Sequence, residues 1–170
     1  MVEFIALKTP PQPDSYGMAE SPIGTFLAVW EKDILVRLHL LPAHTESRAS
    51  GFLRDFGWTH AMKQDPKRAA KLVQDTLFPR MRWNGAPKIK VGFYGTTFQT
   101  KVMKKMLGIP KGKTKTYQQL DTAARAVGSV CARNPLPFIV PCHRVTASTG
   151  LGNYGFGPPL KRQLLEWEKR

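Results

Sequence analysis

The stretch Phe138-Ile139-Val140-Pro141-Cys142-His143-Arg144-Val145 limits what this chain can become more than any other. Phe138 to Val140 reads as a buried extended segment, and it runs straight into a proline. Pro141 biases Val140 towards extended geometry and fixes its own φ, so the chain must kink just before a thiol. A lone cysteine is usually an inert buried thiol. Here two titratable side chains, His143 and Arg144, stand directly against the apolar run, which a dry core rarely allows. Cys142 is therefore a candidate nucleophile. In an ideal strand Cys142 and His143 would point to opposite faces, so activation of the thiol by this histidine needs an irregular backbone or a bridging water.

Composition sets wider bounds. The 170 residues are 42% hydrophobic, enough for a real core in one compact unit or two small domains. Lys and Arg number 26 against 12 Asp and Glu, a net charge of +14. That excess favours a polyanionic partner, most often nucleic acid, although a generally basic surface has the same composition. Two cysteines, both late in the chain, make neither a secreted disulfide framework nor a zinc cluster. The first residues carry an acidic side chain and no long apolar run, so neither signal peptide nor membrane span is expected. The expectation is a soluble protein of a reducing compartment: cytoplasmic, or nuclear if eukaryotic.

Residues 9–14 read as a proline-rich, poorly ordered arm. Ile23–Trp30 and Ile34–Leu40 flank the polar Glu31-Lys32-Asp33, which predicts an antiparallel hairpin. His39 in its second strand reads as structural, and His44 and His60 lack metal-ligand spacing. Residues 43–64 read as irregular, with Trp58 in packing. Asp65 to Phe78 predicts a helix: Asp65 caps it, Pro66 suits its first turn, and Ala69, Leu72, Val73, Thr76 and Leu77 form its apolar stripe. A strand follows around Ile89, Val91 and Phe93, and a domain boundary is placed near Gly95, giving domains 1–95 and 96–170. The second half opens with a helix over about 98–107, carrying Phe98, Val102, Met106 and Leu107 on one side. Lys111, Lys113 and Lys115 lie close to Tyr117. A small-residue helix over 123–130 follows, capped by Asp121 or Thr122, and Asn134-Pro135-Leu136-Pro137 makes a rigid turn into the cysteine segment. A basic cluster, a small-residue helix and a thiol within one region suggest a DNA-docking face beside a reactive centre.

Asn134-Pro135-Leu136-Pro137 followed by Val140-Pro141-Cys142-His143-Arg144-Val145 closely resembles the methylated-DNA–protein-cysteine methyltransferases, the O6-alkylguanine-DNA alkyltransferases. Phe98-Gln99, Ile109-Pro110-Lys111-Gly112-Lys113-Thr114, Tyr117, Arg125-Ala126-Val127-Gly128 and Leu164-Leu165 followed by Glu168 resemble the family in order, so the likeness covers 96–168. It implies an α+β fold: a small N-terminal RNase H-like domain of antiparallel sheet and helix, and a mostly helical, winged-helix-like DNA-binding domain. It implies a monomer bound in the minor groove of double-stranded DNA carrying O6-alkylguanine, with no cofactor, no metal and no membrane.

The same resemblance implies roles. Cys142 accepts the alkyl group, irreversibly, from a guanine rotated out of the duplex. His143, through a water, is its base; Glu168, rather than Glu166, orients His143. Asn134 ties the turn to the active-site segment, and Tyr117 donates a proton or hydrogen bond to the departing guanine. Arg125 fills the vacancy left by the flipped base, its planar guanidinium suited to stacking. Ala124, Ala126 and Gly128 allow close minor-groove approach, and Lys113 and Lys115 contact phosphate. Cys131, Pro137, Val145, Tyr154 and Gly155 wall the guanine pocket. Two departures stand out. Between Tyr117 and Arg125 the chain is about half a dozen residues shorter than the family pattern, which leaves the first helix of the helix-turn-helix roughly one turn long. Phe156 replaces a small residue and is expected to narrow the pocket. The alternatives are a sensor that binds alkylated DNA without accepting the group, and a cysteine hydrolase on an unrelated scaffold, which would need an oxyanion arrangement that is not recognisable here.

Overall fold

In the computed structural model the described residues are 1–41, 46–58, 61–85 and 88–169. The expected hairpin forms from β3 (Gly24–Glu31) and β4 (Ile34–Leu41), closed by Lys32 and Asp33. Lys32 has a φ of 55°, the positive value that tight hairpin turns favour. The run Phe26-Leu27-Ala28-Val29-Trp30 in β3 has no polar alternation, so the strand must be covered on both faces. Phe26, Ala28 and Trp30 enter one apolar cluster and Leu27 and Val29 another. β2 (Ser15–Ser21) pairs antiparallel with β3, and the two-residue β5 (Lys63–Gln64) lies beside it. On the far side, β6 (Ile89–Phe93) runs parallel to β4, and β1 (Val2–Ala6) parallel to β6. The sheet order is β1-β6-β4-β3-β2-β5.

The proline-rich arm is held to this sheet rather than loose. The Asp14 amide donates to the Trp30 carbonyl at 3.0 Å, the Asp14 carboxylate accepts the Lys32 amide at 2.6 Å, and the Gln12 amide donates to Glu31 at 2.9 Å. Prolines remove donors, but the polar groups of Gln12 and Asp14 find partners on the hairpin.

One face of the sheet is covered by α2 (Pro66–Ala70) and a π-helical continuation, Lys71–Leu77. Asp65 accepts the Arg68 amide at 3.0 Å as the expected cap. The Phe78 amide reaches back five residues to the Val73 carbonyl at 2.8 Å, the wider repeat of a π-turn. Ala69, Leu72, Val73 and Leu77 are buried, whereas Thr76 is half-buried and donates its hydroxyl to the Lys71 carbonyl. The other face is covered by α1 (Glu46–Asp55), where an irregular segment was expected. Gly51 and Ser50 are poor helix formers, but Ala49 and Leu53, four residues apart, both bury against the sheet, and that packing overrides propensity. Trp58 packs at the edge of the same cluster, and His39 stacks on Phe52 at 4.4 Å. His44 and His60 lie outside the described residues.

The expected boundary near Gly95 falls between β6 and α3 (Thr97–Leu107). Thr96 and Gln99 form a reciprocal capping box that starts α3, and Val102, Met103 and Met106 are its buried side. After it come β7 (Lys115–Thr116), α4 (Tyr117–Leu120), α5 (Ala124–Ala132), β8 (Val145–Thr146), parallel to β7, and α6 (Pro158–Glu168). A single apolar cluster continues from Phe26 and Trp30 through Met103, Val127 and Val140 to Leu164. The architecture is mixed α+β. Among the described residues no helix is long and apolar enough to cross a membrane.

Candidate active site

Phe138-Ile139-Val140 is buried as expected but is not extended. Asn134 to Val140 is a compact turn in which the Val140 amide donates to the Leu136 carbonyl at 2.9 Å. Phe138 takes a φ of 72°, a left-handed conformation that is costly for an aromatic residue. Its ring is clamped by Phe26 at 5.0 Å, Phe156 at 5.3 Å and Trp83 at 6.1 Å, which offsets that strain. The kink at Pro141 is an inverse γ-turn: φ −80°, ψ 66°, with the Cys142 amide donating to the Val140 carbonyl at 2.8 Å. Cys142, His143 and Arg144 then form one 3₁₀ turn. The backbone around Cys142 and His143 is thus irregular, one of the two conditions under which the pair can cooperate.

Asn134 organises the turn. Its side-chain amide donates to the Val140 carbonyl at 2.8 Å and to the Cys142 sulfur at 3.2 Å, while its oxygen accepts the Leu136 amide at 3.0 Å. The Cys142 side chain is only 6% exposed. Burial pushes its thiol up; the Asn134 hydrogen bond, the Lys161 charge and the backbone amides of Cys142 and His143 act against burial without overcoming it. The resting sulfur is a thiol at neutral pH and needs a base to become a nucleophile.

His143 Nε2 lies 2.8 Å from Glu168 Oε1 in a fully buried pair. Burial pushes the Glu168 carboxyl up, but hydrogen bonds and charge from His143 and Arg144 overturn that and hold it well below the carboxylate range. Glu168 is therefore an anion that only accepts, and Nε2 must carry the proton. Burial holds His143 below the ordinary imidazole value despite Glu168, so at neutral pH the ring is neutral and Nδ1 has a free lone pair. Among the described residues Nδ1 is buried without a hydrogen-bond partner. Such an orphan acceptor is uncommon and marks a site where a proton can be received.

Arg144 locks the carboxylate from the other side. Its Nε and Nη2 donate to the two Glu168 oxygens, both at 2.8 Å, and its remaining donors reach the Ile109 carbonyl at 2.7 Å and the Gly85 carbonyl at 2.5 Å. Trp83 and the Gly112 amide add donors to Glu168 at 3.0 and 3.3 Å. Glu166, by contrast, is exposed.

A pocket of about 190 Å³ opens over the sulfur, lined by Tyr117, Gly128, Cys131, Ala132, Cys142, Asn153, Tyr154 and Gly155. Of the expected wall residues, Cys131, Tyr154 and Gly155 are there. Pro137 and Val145 are not: both are buried in the core, the latter in β8 with its carbonyl taken by Lys161. Phe156 does not narrow the pocket either. It turns away onto Phe138 and His39, 5.6 Å from the latter, because the sheet offers apolar and aromatic surface there. Burial pushes the Cys131 thiol up to about 12, so it is a poor competitor for Cys142.

Tyr117, the first residue of α4, points into the pocket; α4 is a single turn, as its shortened connection implies. The α5 cap is neither Thr122 nor an Asp121 N-cap: the cap position is Ala123, whose amide donates to Asp121 at 3.2 Å. Asp121 also pairs with Lys101 at 3.1 Å and Lys105 at 3.3 Å, and Lys105 additionally binds the Leu120 carbonyl. Arg125 and Ala126 are exposed on α5, with Ala124 half-buried; Lys113 and Lys115 are exposed before α4. A Cβ added to Gly128 would meet nothing within 4 Å.

Sequence reasoning gave no role to Trp83, Gly85, Arg144 or Lys161. Lys161 is 0% exposed and donates to the Val145 carbonyl at 2.6 Å and the Asn153 carbonyl at 3.1 Å, fastening the loop that carries Tyr154. Its one sequence signal is a basic residue at a helix position that faces the core, three before the buried Leu164.

A buried thiol, an imidazole with one free nitrogen and a carboxylate fixing the other form the arrangement that nucleophile–base–orienter chemistry uses. A family model described as the DNA-binding domain of 6-O-methylguanine DNA methyltransferase matches residues 97–170. The methylated-DNA–protein-cysteine methyltransferase of Saccharolobus islandicus is 48% identical over 75 residues, 42% of this chain and 50% of that protein. The chain thus spans about half the length of such curated relatives. The protein of that name from Mycobacterium leprae is 34% identical over 159 residues, 88% of this chain and 89% of its own. Crystal structures of the Mycobacterium tuberculosis O6-methylguanine methyltransferase, and of Mycobacterium tuberculosis OGT in complex with DNA, match with a TM-score of 0.68 at 32% identity, covering 91% of this chain and 92% of theirs. The chain belongs to the O6-methylguanine-DNA methyltransferase family.

Proposed function

We propose that this protein repairs DNA by moving the alkyl group of O6-alkylguanine irreversibly onto Cys142. The observation that carries the reading is the free, buried Nδ1 of a neutral His143 beside a pocket with Cys142 in its wall. His143 takes the thiol proton through a water. The thiolate attacks the alkyl carbon, the bond from that carbon to O6 breaks, and its electron pair leaves with the guanine. Tyr117 supplies a proton or hydrogen bond to the departing base, and Glu168 balances the imidazolium. The thioether product has no route back, so each molecule reacts once.

A pocket of about 190 Å³ takes a single base and not a base pair, so the guanine must leave the stack. Arg125 at the start of α5 then fills the gap, with Ala124, Ala126 and Gly128 permitting minor-groove approach and Lys113 and Lys115 on phosphates. We read 1–95 as the RNase H-like domain and 96–170 as the winged-helix-like DNA-binding domain, acting as a monomer. The experiment is incubation with a duplex oligonucleotide carrying O6-methylguanine, followed by intact mass. A stable gain of one methyl on Cys142 is expected. Binding without a mass change identifies a sensor instead, and neither event points to a hydrolase.

A further inference from the structure

Trp83 lies between the π-helical segment and β6, in the first half of the chain and outside every motif of the sequence. Its side chain is 7% exposed. The indole N–H donates to Glu168 Oε1 at 3.0 Å, the same oxygen that receives His143 Nε2–H at 2.8 Å. The Trp83 ring also meets the His143 ring edge-on, 6.0 Å between centroids. Two residues on, the Gly85 carbonyl accepts from Arg144, and a Cβ at Gly85 would come within 2.8 Å of Glu168 Oε1. Residues 83–85 thus close over the carboxylate that steers the base.

We propose that Trp83 is a positioning residue for alkyl transfer, its N–H and ring together holding Glu168 and His143 so that Nδ1 stays free to receive the Cys142 proton. This rests on the alkyl-transfer reading. The chemical reasoning concerns Oε1, which takes three donors: Trp83, His143 and Arg144. Each draws on the same electron density, so the indole moderates the pull of Glu168 on the imidazole. Without the indole N–H, Glu168 stabilises the imidazolium more strongly, and His143 charges at a higher pH. The other groups facing His143 are Arg144 and Cys142 of its own turn, Lys161 of α6 and Tyr154 of the loop. None of them touches the indole N–H, so a change at Trp83 leaves them in place.

The test is single-turnover methyl transfer from an O6-methylguanine duplex as a function of pH, for the wild type, Trp83→Phe and a chain with 3-benzothienylalanine at position 83. The last keeps the bicyclic shape and replaces N–H by sulfur, so it folds even where Phe leaves a void. The acid limb should move up by on the order of one pH unit, the size of one hydrogen bond to a charged group. The plateau rate should fall about tenfold if the base is mispositioned by the lost contact. A residue that merely fills the core would move neither in the isostere, and an unshifted limb there overturns the inference. The His143 titration midpoint, followed by ¹⁵N NMR, reads the same shift without any transfer. An inactive wild type with a shifted imidazole sinks the alkyl-transfer reading and leaves the role of Trp83 towards His143 standing; an unshifted imidazole sinks that role whatever the activity.

Discussion

Between Asn134 and Val145, Cys142, His143 and Arg144 are buried, and Asn134 and Arg144 each bond several times over, whereas α4 and α5 sit near the surface and are braced by ion pairs that water reaches. Glu168 alone takes donors from Trp83, Gly112, His143 and Arg144. Asp121, the brace of the helix pair, leans on lysines that are 57% and 38% exposed. The contrast follows from what each region has to do. On the alkyl-transfer reading, in-line displacement at a single carbon loses rate steeply when an atom is misplaced, which a tightly held thiol and imidazole would avoid. On the same reading, contacts to a phosphate backbone add up from many weak, solvated terms, so a helix pair that has lost a turn would still serve.

Five experiments probe this division, from the largest effect down. Cys142→Ser should abolish methyl transfer in the intact-mass assay while the chain still folds, because hydroxyl and thiol are close in size. Arg144→Met should leave the buried Glu168 charge without its guanidinium, held only by Trp83, Gly112 and His143, and take the donor from the Ile109 and Gly85 carbonyls. A loss of about 3–5 kcal/mol in urea unfolding is expected, the usual result of breaking a buried pair. Third, stability should fall with acid. The folded values of both His143 and Glu168 lie below their ordinary 6.5 and 4.5, so the unfolded chain binds protons first. Stability is therefore full above pH 6.5, declines as the unfolded imidazole charges, and declines further below 4.5. Glu168→Gln should flatten the lower part of that profile; an unchanged slope would count against an ionised Glu168.

Gly128→Ala tests the other region without disturbing the fold. The added methyl meets open space and relieves a glycine within a helix, so stability should rise by about 0.5–1 kcal/mol. Transfer from duplex should nevertheless slow, about tenfold if a base must pass that point closely; an unchanged rate would place the flipped base elsewhere. Asp121→Ala should be mildest. Duplex affinity should weaken by no more than about fivefold, as for an exposed ion pair, and transfer from a free alkylated base should not change. Loss of both would mean that α4 is part of the locked region after all.

Legibility in the sequence divides along the same line. Asn134, Cys142 and His143 are close neighbours in the chain and carry polar chemistry against apolar residues, so their grouping can be read directly. Trp83 reaches Glu168 across 85 positions and Gly85 reaches Arg144 across 59. An indole and a glycine have no local pattern that points so far. Lys161 looks like one more solvated lysine until two carbonyls surround it. Phe138 to Val140 misled because a short apolar run fits a strand or a buried turn equally well, and only the rings around Phe138 decide. α1 was hidden by weak helix formers whose helix is made by the sheet beneath it.

The placement of β1 has a consequence for synthesis. Val2 lies opposite Ile89 and Phe4 opposite Val91, so β1 leaves the ribosome long before the edge it joins has been translated. Through that interval Phe4 and Ile5 have no neighbouring strand to cover them, and a chain halted ahead of β6 leaves that apolar pair exposed.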